Sequence, residues 1–198
     1  MSLPVDLEEI AHRLGIILIP YDFPPSISGM AYVGRRKFVL YNQNHPLPRR
    51  RFTIAHEIYH IEKHMRDGKA LLRKSNVEDE ANSGAAKILL PYKELKIHLR
   101  NPQWFYDLSA LARKAIVSPI TLVRRIHEIK FASISLFELK LRENALYVRR
   151  LVGEPFPMPG WTALLEGARG REFFLKKNGL LYRFSNYGRA HLLYVYPL

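Results

Sequence analysis

Arg49-Arg50-Arg51-Phe52-Thr53-Ile54-Ala55-His56-Glu57-Ile58-Tyr59-His60-Ile61 carries an H-E-x-x-H sequence at residues 56–60. The spacing has chemical meaning only on a helix, where positions i and i+4 stack on one face and bring two imidazoles to one point, with Glu57 beside them. Helix is the expected conformation here. Ile54, Ile58, Ile61 and Met65 recur at steps of four, three and four and form an apolar stripe. Pro46 and Pro48 precede the stretch and Gly68 follows it, as start and stop signals. A five-residue pattern also arises by chance, and the plain alternative is two surface histidines on an amphipathic helix. A third ligand decides between the two readings.

Ser75 to Pro91 supplies a candidate. Val77, Ala81, Ala85 and Ile88 make a second helical stripe that Pro91 stops, and small residues at 81, 84, 85 and 86 permit close approach to a neighbouring helix. Glu78 borders that stripe, whereas Asp79 and Glu80 project further from it. Glu78 is therefore the expected third metal ligand beside His56 and His60. Asn82, one turn on, is placed to hydrogen-bond a ligand imidazole and hold its orientation. A competing reading is local: Ser75-x-x-Glu78 is a capping-box pattern, which would tie Glu78 to the helix N-terminus.

Composition narrows the chemistry. The chain has no cysteine, so disulfides and thiolate zinc sites are excluded and a metal must take His and carboxylate ligands. At 198 residues it has room for one medium domain with an appendage, or two small ones. No apolar run approaches the ~20 residues that span a bilayer, and Met1 to Asp6 lacks signal-peptide character, so a soluble, cytoplasmic protein is expected. The net charge of +13 is balanced to zero over residues 1–45 and spread over the rest, with Arg35-Arg36-Lys37 and Arg49–Arg51 as tight clusters. Such a balance suits an acidic partner, DNA or simply a solvated basic surface.

The remaining elements follow from local pattern. Pro4 to Leu14 reads as a helix with Asp6, Glu8 and Glu9 in its first turn and Gly15 ending it. Ile16 to Ile19 reads as a buried strand, residues 22–29 as a loop, and Met30–Val33 with Lys37–Tyr41 as a hairpin around Gly34-Arg35-Arg36. That sheet edge offers backbone groups to an extended peptide. Tyr92 to Arg100 is helical; Tyr92, His98, His45 and His64 are the candidates to stabilise an oxyanion. Lys69 to Lys74 is basic and irregular.

Asn101-Pro102 opens a further unit. Asp107 caps a helix through Ala115, and Ser118-Pro119 starts another to Ile129, a helix-turn-helix-like pair in which exposed Thr121, Arg124 and Arg125 could meet phosphates. Two helices buttressing the core is the simpler reading. From Phe131 the period becomes two: Ser133–Leu141, Ala145–Val152, Glu172–Lys176, Leu180–Phe184 and Ala190–Tyr196 are strand-like, with an Asn178-Gly179 hairpin turn and a short helix over Gly160–Gly167.

Arg51-Phe52-Thr53-Ile54-Ala55-His56-Glu57-Ile58-Tyr59-His60, Glu78-Asp79-Glu80-Ala81-Asn82 and Ile88-Leu89-Leu90-Pro91 together resemble the ImmA/IrrE metallopeptidases, as do the Pro4-Val5-Asp6 helix and Ser28-Gly29. The resemblance covers about the first hundred residues. It implies an α+β fold: a zincin-like peptidase core over 1–100, with metal-binding helices on a small sheet, then a helix-turn-helix-like segment over 101–130. A small mixed α/β region follows over 131–198, GAF-like or a docking or dimerising module. It further implies a zinc endopeptidase, with manganese as the alternative metal, that cleaves a helix-turn-helix transcriptional repressor in a stress, DNA-damage or mobile-element response. The family's ligands map onto His56, His60 and Glu78, and its catalytic glutamate onto Glu57. The runner-up is a non-catalytic zinc-binding regulator that binds DNA or a repressor. Three departures bear on substrate choice more than on the metal: Tyr59 where glycine is common, Gly84 where phenylalanine is usual, and Pro91 directly after Leu90 without the usual methionine.

Overall fold

The computed structural model describes residues 2–65, 75–143 and 145–198. Gly68, the Lys69–Lys74 stretch and the Ser75 side chain, on which the capping-box reading depends, lie outside the described residues. Among the described residues the architecture is mixed α+β, with two sheets. By its internal contacts the chain divides into two units, one of residues 1–95 and 114–118, the other of residues 96–113 and 119–198.

The first unit opens with α1 (Leu7–Arg13), which starts later than the pattern suggested because Asp6 is its cap: the Asp6 carboxylate accepts from the Glu9 amide at 2.8 Å. Strands β1 (Ile16–Tyr21), β2 (Gly29–Val33) and β3 (Lys37–Asn42) form a sheet in the order β1-β3-β2, with β1 parallel and β2 antiparallel to β3. The central position of β3 explains why Val39 is fully buried. It also corrects the reading of Ile16–Ile19 as a buried strand. β1 is an edge; only Ile16 is buried, and Ile17 is 40% exposed.

Helix α2 (Leu47–Lys63) carries the H-E-x-x-H residues. Its start has no side-chain cap; Pro46 and Pro48 set the entry where backbone N–H groups have no helical partner anyway. Ile54, Ala55, Ile58 and Ile61 are buried as the stripe predicts, and the helix packs on β2, β3 and α3 (Ser75–Leu89). The crossing with β2 is close: a Cβ on Gly29 would stand 2.5 Å from Thr53 Cγ2 and 2.6 Å from the Leu40 carbonyl. Only glycine lets that strand run so near the helix. Arg51 extends the packing to the N-terminal segment, donating to the Val5 carbonyl at 2.6 Å.

Helix α4 (Tyr92–Arg100), the short α5 (Pro102–Phe105), α6 (Leu108–Ala115) and α7 (Pro119–Glu128) follow in the chain. Asp107 caps α6 through the Ala110 amide at 3.0 Å. The phosphate-facing reading of α7 needs correction. Thr121 and Arg125 lie one turn apart on the face shared with Leu122 and Ile126 and are 9% and 7% exposed; Arg125 pairs with Glu128 at 3.0 Å. Only Arg124 of the three is exposed.

In the second unit, β4 (Ser135–Arg142), β5 (Ala145–Val152), β6 (Phe173–Lys177), β7 (Leu180–Tyr187) and β8 (Ala190–Pro197) form an antiparallel sheet in the order β5-β4-β8-β7-β6. Helix α8 (Trp161–Ala168) covers one face, where Leu164 and Ala168 join Phe137, Tyr182, Phe184 and Leu193 in a core. Asn178 and Gly179 take the positive φ values, 52° and 72°, that a tight hairpin turn requires.

Candidate metal centre

Three ligand-type atoms converge between α2 and α3. His56 Nε2 and His60 Nε2 are 2.9 Å apart; Glu78 places Oε2 3.3 Å from the first and Oε1 3.7 Å from the second. All three residues fall in one cluster whose ligand atoms lie within 4.8 Å of one another. The helical spacing of α2 produces the first two, and the position of Glu78 one turn before Ala81, which is fully buried, brings the third across. Asp79 is exposed and outside the cluster.

The donor set fits a divalent cation. His56 Nδ1 stands 3.1 Å from Asn82 Oδ1, an acceptor, which assigns the ring proton to Nδ1 and turns the Nε2 lone pair inward. With both Nε2 atoms unprotonated, two lone pairs and a carboxylate at these separations repel, and a cation between them relieves the repulsion. Zinc at ligand distances of ~2.0–2.1 Å sets tetrahedral donors roughly 3.3 Å apart, close to the observed spacings. Imidazole with carboxylate is also a set that zinc accepts readily.

The cluster opens into a cleft of about 530 Å³ that Glu57 lines together with Arg49, Thr53 and the β2 approach from Ser26 to Met30. Glu57 is 9% exposed, so its carboxylate is held among protein groups at the cleft wall. The rim is built by β3: the buried Asn42 amide donates to the Phe23 and Ile27 carbonyls at 2.9 Å each, and His45 Nε2 meets the Pro25 carbonyl at 3.0 Å. Arg49, a cation on this rim, donates to Ser28 Oγ at 2.9 Å. Sequence reading recognised Arg49 only as part of a basic run, since nothing local says that the loop after β1 folds back over α2.

The four candidates for oxyanion stabilisation do not line the cleft. His45 is buried in the rim just described, Tyr92 is 47% exposed, and His98 stands edge-on to Trp104 at 5.9 Å. His64, the C-cap of α2, lies behind His60, with Nδ1 to Nδ1 3.1 Å. Its Nε2 meets Glu80 Oε2 at 3.3 Å, and the Tyr59 hydroxyl donates to Glu80 Oε1 at 2.9 Å. These two bonds hold the Glu80 carboxyl below its ordinary range; desolvation first, then the same bond, pushes the Tyr59 phenol up. Tyr59 has room because a Cβ on Gly84 would fall inside its ring. The two departures noted in the sequence, Tyr59 and Gly84, thus occupy one place: the aromatic ring comes from α2 and the space from α3.

The Peptidase_M78 family model, described as the IrrE N-terminal-like domain, matches residues 10–127. Among solved structures, a Mycobacterium tuberculosis transcriptional regulator is similar with a TM-score of 0.59 and 16% identity, over 96% of this chain and 68% of that one. At that identity the likeness concerns the fold. No curated protein matches the chain.

Proposed function

Because this chain belongs to the Peptidase_M78 family, and the matched residues 10–127 contain every residue of the cleft, we propose that it is a zinc-dependent endopeptidase whose substrate is a helix-turn-helix transcriptional repressor. Cleavage relieves repression in a stress, DNA-damage or mobile-element response. The observation that carries the reading is the convergence of His56 Nε2, His60 Nε2 and Glu78 in a cleft that Glu57 also lines.

His56, His60 and Glu78 would hold the ion, zinc in preference to manganese given two imidazoles. A cation bound there supplies Lewis acidity, bringing the pKa of water towards ~7 and polarising a carbonyl. Glu57 accepts a proton from the attacking water and returns it to the leaving amine. Among the described residues no strand pairs with the outer edge of β2, and Gly29 and Met30 bring that edge to the cleft. An extended peptide added along that edge has its backbone aligned beside Glu57. Arg49, on the same rim, offers a guanidinium to a substrate carbonyl or carboxylate.

The test is incubation of the zinc-loaded protein, at a small fraction of the substrate concentration, with a folded helix-turn-helix repressor encoded beside its gene. Cleavage at one internal bond by the wild type and none by zinc-loaded Glu57→Gln supports the reading. An intact repressor held in a stable complex by both proteins contradicts it and points to a non-catalytic regulator.

A further inference from the structure

Both ligand imidazoles sit on α2, and each has its second nitrogen engaged by another side chain. For His56 the partner is Asn82 of α3. For His60 it is His64, and behind His64 stands Glu80 of α3, which also receives the Tyr59 hydroxyl. We propose that His64, held by Glu80 and Tyr59, is a positioning residue that fixes the tautomer and ring orientation of His60 for metal binding. The proposal rests on the metal-site reading above and deepens it.

The direction of the chain follows from its ends. The Glu80 carboxylate only accepts, so a neutral His64 carries its proton on Nε2 and presents Nδ1 as an acceptor. His60 then donates from Nδ1 across 3.1 Å and turns its Nε2 lone pair towards His56 and Glu78. With the reverse tautomer His60 would present a proton to the ion. Ring packing keeps the partners in place: the His60 and His64 centroids are 5.2 Å apart, and Tyr59 stands edge-on to His64 at 5.7 Å. The Tyr59 ring reaches this position only because Gly84 has no side chain. Helix α3 therefore supplies a ligand from Glu78 and anchors for both ligand histidines from Glu80 and Asn82. Losing such an outer partner typically weakens metal binding about 10–100-fold.

The test uses the whole chain loaded with cobalt(II), which shifts the exchangeable N–H protons of its ligand imidazoles out of the ordinary proton spectrum. The wild type is expected to show two such signals, one from His56 and one from His60. In His64→Ala one disappears into solvent exchange while the other remains, and zinc affinity by chelator competition falls about 10–100-fold. His64→Gln, whose amide oxygen can accept the same bond, restores both readouts. Glu80→Gln, at an exposed position, repeats the loss in milder form if His64→Ala fails to fold. Two unchanged signals and wild-type affinity in both His64→Ala and Glu80→Gln overturn the proposal while leaving the metal site intact. Failure of the wild type to bind cobalt or zinc overturns the metal site itself, and the positioning role with it.

Discussion

The two units handle buried polar groups in opposite ways. In the first, His56, Glu57, His60 and Glu78 gather at one cleft, and two imidazole nitrogens face each other at 2.9 Å. In the second, polar groups are spread through the sheet, and several pair locally. Ser109 and Tyr194 share a buried hydroxyl bond of 2.9 Å, and Arg183 lies between Asp107 at 3.5 Å and Glu172 at 3.8 Å. Local pairing stabilises a fold, whereas ligand-type atoms that converge on one point offer a site to a cation. The contrast teaches that burial alone does not mark a site; the convergence of several ligand-type atoms on one point does.

The sharpest way to break this comparison is at Glu57. Glu57→Gln is expected to lower repressor cleavage by roughly 10²–10⁴-fold while zinc content stays at the wild-type level, measured by cleavage rate and metal analysis on the same sample. A variant that cleaves at the wild-type rate removes Glu57 from the chemistry.

Next in size is the helix contact behind the site. Gly84→Ala forces a methyl group into the Tyr59 ring and should destabilise the first unit by about 1–3 kcal/mol in denaturant unfolding. Tyr59→Gly with Gly84→Phe, which moves the aromatic to the other helix, should recover part of the stability that either change costs alone. Additive losses would show that the two positions are not one exchange.

For the second unit the lever is alkaline pH. Burial pushes the phenols of Tyr194 and Tyr196 well above the ordinary value of 10. Above pH 10 the unfolded chain ionises these groups while the folded unit keeps them protonated, so the unfolded state binds fewer protons. Their contribution is fully present below pH 10 and is lost as pH rises from there towards the folded values, by about 1.4 kcal/mol per pH unit for each tyrosine. Unfolding followed by tyrosine absorbance between pH 9 and 12 checks the slope. The smallest effect separates the same two residues. Tyr194→Phe strands the buried Ser109 hydroxyl and should cost about 1–3 kcal/mol, whereas Tyr196, whose hydroxyl has no partner among the described residues, should tolerate Phe or gain from it.

How much of this was legible in the sequence follows the same division between local and converging. The histidine pair is a property of one helix, so the i, i+4 spacing sufficed, and Glu78 followed from its border position on a second stripe. The strands of the second unit were legible because period two and Asn178-Gly179 are local signals. Errors arose where a neighbour decides. Ile16–Ile19 reads as core but forms an edge because, among the described residues, only β3 pairs with it. Thr121 and Arg125 read as exposed but share the buried face of α7, since polar residues carry no sign of the partner that satisfies them. The four-residue α5 is too short to show a period. The group formed by Tyr59, His64 and Glu80 joins positions up to 21 residues apart on two helices, and only the packing of α2 on α3 assembles it.

The measurement that tests the central claim most directly is metal content by mass spectrometry. It is made on protein purified without chelator or affinity-column metal, beside His60→Ala and Glu78→Ala. About one zinc per wild-type chain, lost in both variants, is the predicted result. A wild-type chain that carries no zinc and takes up none on reconstitution would contradict the account.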